Sequence, residues 1–168
     1  NGAVLREFFV ASATVAGLGD INGDGVPDIA VKNQIYSGAN AELLYILGSY
    51  QFVVTALPAG DVNNDGDPDL IVGAPNDDDV ANKMKDTGSV IVYLNSGTPL
   101  EPKYGSVTKA NLGKSVASGD VNDDGYAEIL AGAPGDDDSA NALKDTGSVT
   151  VFSGVDGSTL TTKYGATA

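Results

Sequence analysis

The chain has no cysteine, no histidine, no tryptophan and a single methionine, and its nine basic residues face 23 acids in 168 positions. Without cysteine there is no disulfide, no thiol nucleophile and no zinc–thiolate site. Without histidine there is no serine–histidine machinery, no imidazole base and no imidazole metal ligand. A net charge of -14 leaves no basic footprint for phosphate, so nucleic acid is excluded as a partner. The same charge disfavours anionic membrane surfaces. No apolar run reaches the roughly 18 residues of a membrane helix, so no membrane insertion is expected. The first residue is Asn1, with neither Met nor a charged-then-apolar leader, which reads as a processed product or an excised piece.

What is present is aspartate, 19 of the 23 acids, and it is clustered. Three short windows hold Asp20, Asp24 and Asp28; Asp61, Asp65, Asp67 and Asp69; and Asp120, Asp123, Asp124 and Glu128. Two longer loops hold Asp77, Asp78, Asp79 and Asp86, then Asp136, Asp137, Asp138 and Asp145. Like charges packed this closely are costly unless a cation neutralises them. Lysine and arginine are too few, which leaves a metal ion.

The clusters recur because the chain repeats. Gly60-Asp61-Val62-Asn63-Asn64-Asp65-Gly66 matches Gly119-Asp120-Val121-Asn122-Asp123-Asp124-Gly125. Gly73-Ala74-Pro75 returns as Gly132-Ala133-Pro134, and Lys85-Asp86-Thr87-Gly88-Ser89-Val90 as Lys144-Asp145-Thr146-Gly147-Ser148-Val149. A shorter copy opens at Gly19-Asp20-Ile21-Asn22-Gly23-Asp24-Gly25 and lacks the long acidic loop, with Lys32-Asn33-Gln34 in its place.

Each unit predicts four short strands, rich in Val, Ile, Tyr and Thr and jointed by Gly, Pro and Asn. The first strands are Ser12–Leu18, Phe52–Leu57 and Lys114–Ser118, and the second are Ile29–Val31, Leu70–Val72 and Ile129–Ala131. The third are Gln34–Tyr36, Val90–Leu94 and Val149–Phe152, and the fourth Glu42–Leu47, Leu100–Tyr104 and Thr159–Tyr164. No segment carries a sustained helical stripe. The fold expected is all-β, with about three four-stranded antiparallel propeller blades. Residues 1–10 form the trailing strand of a preceding blade (Val4–Phe9), 11–48 a shortened first blade, 49–105 the second and 106–168 the third.

The three windows share Asp-x-Asn-x-Asp-Gly-x-x-(Asp or Glu). Oxygen donors at alternate positions converge when the backbone curls tightly, and the glycine permits the curl. The expected metal ligands are Asp20, Asn22, Asp24, the Val26 carbonyl and Asp28; Asp61, Asn63, Asp65, the Asp67 carbonyl and Asp69; and Asp120, Asn122, Asp124, the Tyr126 carbonyl and Glu128. An all-oxygen, carboxylate-rich set favours Ca2+, about three ions, over magnesium and transition metals. An EF-hand would need a bidentate Glu at position twelve. Val31, Val72 and Ala131 stand there, inside expected strands.

These motifs resemble the FG-GAP repeats of integrin alpha-subunit propellers and their bacterial relatives. The aromatic-Gly signature is Tyr104-Gly105 and Tyr164-Gly165, and Gly-Ala-Pro occurs twice. The resemblance implies calcium loops in the first hairpin of each blade, structural calcium, and an extracellular, cell-surface or periplasmic module that binds a protein or glycan. The 76–89 and 135–148 loops would lie on the opposite face. An accessory part of a larger extracellular enzyme, such as a polysaccharide lyase, and a purely architectural scaffold are the alternatives. The first copy departs from the pattern, with Val31-Lys32-Asn33 for Gly-Ala-Pro and Phe9-Val10 for aromatic-Gly, and Glu128 replaces Asp at position nine.

The remaining features read plainly. The long acidic loops are expected to be solvated, with Lys85 and Lys144 offsetting local charge. Tyr36, Tyr93, Tyr104, Tyr126 and Tyr164 are expected between blades, and Arg6 on the surface. The regular acids are taken up by calcium, so no catalytic residue and no enzymatic activity are predicted. Closed propellers use roughly four to eight blades. Three leave open edges, which a homodimer could join into a six-bladed ring or the remainder of a longer chain could continue.

Overall fold

The computed structural model describes residues 15–48 and 55–166. Twelve strands run in chain order: β1 (Val15–Gly17), β2 (Ile29–Val31), β3 (Gln34–Tyr36), β4 (Leu43–Ile46), β5 (Thr55–Gly60), β6 (Asp69–Ala74), β7 (Ser89–Tyr93), β8 (Lys103–Tyr104), β9 (Ser115–Gly119), β10 (Glu128–Ala133), β11 (Ser148–Phe152) and β12 (Thr159–Tyr164). They form three sheets, β1 to β4, β5 to β8 and β9 to β12, each an antiparallel meander in chain order. Within the described residues the architecture is all-β, as three four-stranded blades.

Two strand predictions shift. The expected start of the second unit's first strand at 52–54 lies outside the described residues, and within them that strand runs Thr55–Gly60, ending beyond the expected Leu57. It accommodates Pro58 because it pairs on one side only, with β6, and its register slips between Pro58 and Gly60. The strand expected over Leu100–Tyr104 contracts to Lys103–Tyr104. Pro99 and Pro102 flank Leu100 and cannot donate to a ladder, although Leu100 itself still donates to the Val92 carbonyl at 2.8 Å. The expected strand Val4–Phe9, and Arg6 within it, lie outside the described residues.

The core sits between the sheets. Period-two alternation sends neighbouring residues to opposite faces. Leu70, Val72, Ala74, Ile91 and Tyr93 of the second blade therefore pack on Leu18, Ile21, Ala30, Ile35 and Leu47 of the first. From the other face, Val62, Ile71, Val90 and Val92 pack on Ala127, Ile129, Ala131, Ala133 and Phe152 of the third. Both faces of β6 and β7 are buried throughout, because the second blade has a neighbour on each side. The linker after β8 crosses the second blade's face. Lys109, Asn111 and Leu112 N–H groups donate to the Lys85, Asp86 and Thr87 carbonyls at 3.0, 3.2 and 2.9 Å. This linker delivers β9 beside β5 and β6.

Candidate metal centre

The three acidic windows form the β1–β2, β5–β6 and β9–β10 hairpin loops. Successive hairpins of a meander turn at alternate ends, so all three windows lie at one end of their sheets and the two long acidic loops at the other.

Each window folds around its own first aspartate. Asp20 accepts the Asp24 N–H at 3.0 Å and the Gly25 N–H at 2.6 Å. Asp61 accepts those of Asp65 and Gly66 at 3.0 and 2.7 Å. Asp120 accepts those of Asp124 and Gly125 at 3.1 and 2.9 Å. The position-three amide donates to the position-five carboxylate in every copy, from Asn22, Asn63 and Asn122 at 2.9, 2.8 and 2.9 Å. The position-five carboxylate in turn accepts the position-seven N–H of Val26, Asp67 or Tyr126. Left-handed backbone makes the curl: φ is +87°, +96° and +90° at Gly25, Gly66 and Gly125. Position four is also left-handed, at Gly23, Asn64 and Asp123. Its restriction to Gly, Asn and Asp was a visible signal that the sequence reading left unused.

Position nine does something different. Asp28, Asp69 and Glu128 are buried polar residues at the first position of β10 and β6 and just before β2. One carboxylate oxygen accepts the position-two N–H of its own loop, from Ile21, Val62 and Val121 at 2.9, 2.9 and 3.0 Å. The other accepts an N–H from beyond the third strand, from Gly38, Asn95 and Gly154 at 3.1, 3.1 and 3.5 Å. The acid thus ties the metal-type loop to the β3–β4, β7–β8 or β11–β12 turn. Glu128 keeps both ties despite its extra methylene.

Electrostatics follow from this burial. The Asp69 carboxyl is pushed up by desolvation, and Asp65 and Asp61 push the same way, against the N–H donors of Val62 and Asn95. The exposed Asp24 is held down by the Asn22 amide first, then the Val26 N–H. Among the described residues, no three carboxylates gather tightly enough to form a cage by charge alone. The oxygens that the sequence reading assigns to a cation are mixed: carboxylates at one, five and nine, an amide oxygen at three and a carbonyl at seven. All are hard oxygens, the chemistry that suits calcium.

The long acidic loops differ from expectation in part. Their tips, 80–83 and 139–142, are exposed as expected, but the flanking carboxylates are tied, and their partners are N–H and O–H donors. Ser89 Oγ donates to Asp77 at 2.8 Å and Ser148 Oγ to Asp136 at 2.6 Å. Asp86 and Asp145 N–H groups donate to Asp78 and Asp137 at 2.8 and 2.9 Å. Asn82 and Asn141 close onto Asp79 and Asp138. Ser106, in the linker to the third blade, also donates to Asp136. Of the tyrosines, Tyr93 is buried between the first two blades, whereas Tyr104 and Tyr164 lie at the exposed rim.

The FG-GAP repeat family model matches residues 12–47, 53–93 and 112–152, most of the chain. The chain belongs to the FG-GAP repeat family. Each match covers one acidic loop, the hairpin around it and the third strand, whose far end meets position nine, and the first match also takes in β4. The FG-GAP repeat is a structural and binding module.

Proposed function

We propose that this chain is a calcium-stabilised, integrin-like propeller module, extracellular or surface-exposed, that presents a rigid face to a protein or glycan. The observation that carries the reading is the threefold recurrence of one loop frame, with five oxygen donors at positions one, three, five, seven and nine. Each frame ends in a buried acid whose hydrogen-bond partners are backbone N–H groups. Burial first raises the Asp69 carboxyl, and a cation in the loop would offset the negative charge of Asp65 and Asp61 that adds to it. Holding it would fall to Asp20, Asn22, Asp24, Val26 and Asp28, and to their counterparts in the other two loops. The ion itself would neutralise the loop and fix the hairpin.

Loops of this exposure suit the weaker affinities of extracellular calcium modules, about 0.1–1 mM. At a Kd of ~0.1 mM and ~1 mM calcium, linkage contributes about 1.4 kcal/mol per site, or ~4 kcal/mol for three. Native mass spectrometry in millimolar calcium tests this. Three bound ions are expected, and two after Asp65→Ala. A chain that binds no calcium, or an Asp65→Ala variant with unchanged stoichiometry, refutes the assignment.

A further inference from the structure

The two interfaces between blades are built alike but closed differently. Ile29 pairs with Tyr36 in the first blade and Leu70 with Tyr93 in the second, so Asn33 is the counterpart of Val90. The Leu47 N–H donates to the Asn33 carbonyl at 2.8 Å, and Lys103 pairs with Val90. Lys103 therefore stands where Leu47 stands, and Glu101, two residues earlier, where Tyr45 stands. At the first interface Leu47 is 1% exposed and Tyr45 packs against the same core. The Tyr45 ring lies over the turn after β7, where an ideal Cβ on Gly97 would come within 3.2 Å of its Cγ.

The second interface keeps the walls and replaces both apolar plugs. Val92, Ile129 and Phe152 take the places of Ile35, Leu70 and Tyr93. Gly157 takes the place of Gly97: each donates its N–H to the carbonyl just past the third strand, that of Ser153 at 2.9 Å and of Leu94 at 2.7 Å. Lys103 runs along this turn, its Cε and Nζ both 2.9 Å from an ideal Cβ on Gly157. Glu101 is exposed rather than folded inward. The result is a cleft of about 300 Å³ between the second and third blades, walled by Val62, Val92, Ile129 and Phe152. Lys103, Glu101 and Asp156 supply its charged lining. Each wall is a blade of this chain, so described residues bound the cleft on both sides.

Shape and charge together narrow the occupant. The volume lies at the small end of ligand pockets, which are mostly apolar with a few placed polar groups. The first interface shows what such walls accept, since a phenol ring fills the matching place there. Phe152 offers a second ring edge or face for an aromatic contact. The Asp156 carboxyl is held down first by the Ser158 N–H and also by Lys103. Two carboxylates against one ammonium leave the lining with a net negative charge, and Glu101 carries it.

We propose that the cleft between the second and third blades binds a small cationic aromatic molecule, a single-ring arylalkylamine. Its ring takes the place that Tyr45 takes at the first interface, and its ammonium meets Glu101.

The test is a titration of the isotope-labelled 168-residue chain with tyramine in millimolar calcium, read from amide chemical shifts. A Kd of about 1 mM or tighter is expected for a ligand of this size. The shifts should concentrate on Val92, Ile129 and the turn from Phe152 to Gly157. p-Cresol lacks the ammonium and should bind about 3-fold more weakly, and p-hydroxyphenylacetate about 10-fold more weakly, the scale of one solvent-exposed charge contact. Glu101→Gln should bring tyramine to the level of p-cresol. Glu101→Tyr copies the first interface, fills the cleft from within the chain and should weaken tyramine at least about 10-fold. Position 101 is exposed, so both variants keep the fold, and unchanged amide shifts away from the cleft verify it. Tyramine that shifts no amide at ~10 mM, or only amides elsewhere, overturns the proposal. So do equal affinities for the three probes, tyramine binding that survives Glu101→Tyr, or glucose that binds the same amides more tightly than tyramine.

Discussion

The closest backbone approach between blades gives a sharp test of how they are joined. Gly73 lies in β6 with ordinary backbone geometry, so replacing it by alanine tests space and nothing else. The new methyl would sit 2.2 Å from the Gly113 carbonyl oxygen and 3.2 Å from Val116 Cγ1. A carbon–oxygen contact relaxes near 3.3 Å, so the backbones must part by about 1 Å. Gly113 cannot yield alone. Its N–H is held by the Gly132 carbonyl at 3.0 Å, and the preceding Leu112 N–H by Thr87 at 2.9 Å. The displacement therefore opens the core around Ile71, Leu112 and Val116. Overpacking costs about 1–3 kcal/mol, and a weakened buried hydrogen bond adds about 1 kcal/mol. The expected loss for Gly73→Ala is thus roughly 2–4 kcal/mol.

Gly132→Ala, at the corresponding position, is the control. Its methyl meets only Ser115 Oγ at close range, and that hydroxyl can rotate away. The change is expected to stay within about 1 kcal/mol, partly offset by the reduced freedom of the unfolded chain. At about 2–4 °C per kcal/mol for a chain of this size, thermal unfolding should fall by roughly 5–15 °C for the first and less than ~4 °C for the second. Equal shifts would refute the account of the linker as the clamp between blades.

Chelation is expected to lower the melting temperature by about 8–16 °C, from ~4 kcal/mol of linkage. Asp69→Asn should reduce that calcium-dependent shift by about a third, and a melt unchanged by chelator would sink the structural-calcium reading. The Tyr45 phenol is buried, with its hydroxyl unpartnered among the described residues, and burial first, then Asp28, Asp69 and Tyr93, push it up to about 12. Stability is therefore unaffected by this titration below pH ~10 and falls as pH rises from there through about 12, because the unfolded state loses the proton first. Tyrosinate absorbance should show a late titration near pH 12 whose amplitude falls by one tyrosine in Tyr45→Phe, with a gain in stability of ~1 kcal/mol; an unchanged amplitude there counts against it. Ile71→Ala, at the centre of the second interface, should cost about 2–5 kcal/mol in denaturant titrations, and a loss below ~1 kcal/mol would contradict its burial.

Much of the candidate site was legible because it is local. Within each window the bonds that shape the loop join residues two to five positions apart, as from Gly25 to Asp20. Spacing and glycine placement therefore determine the frame. The strands were legible for a related reason, since β-branched runs between Gly and Pro joints leave few alternatives. Their bounds drifted where proline intervened, at Pro58, Pro99 and Pro102.

The sequence by itself determined the repeat, the strand order within each blade and the hydrogen-bonded loop frame over positions one to seven. Tertiary structure decided the rest, because it depends on contacts between segments that no local pattern encodes. Position nine earned its role only when the far ends of β3, β7 and β11 came round to it, 10 residues away at Gly38 and 26 at Asn95 and Gly154. The long acidic loops looked solvated because their partners, Ser89, Ser148 and Ser106, lie 12 and 30 residues distant. Val62 and Val121 make the point most directly: they are the same residue in the same local sequence, one buried and one exposed. Burial is set by the neighbouring blade, and a repeating sequence writes the same face whether or not a neighbour covers it.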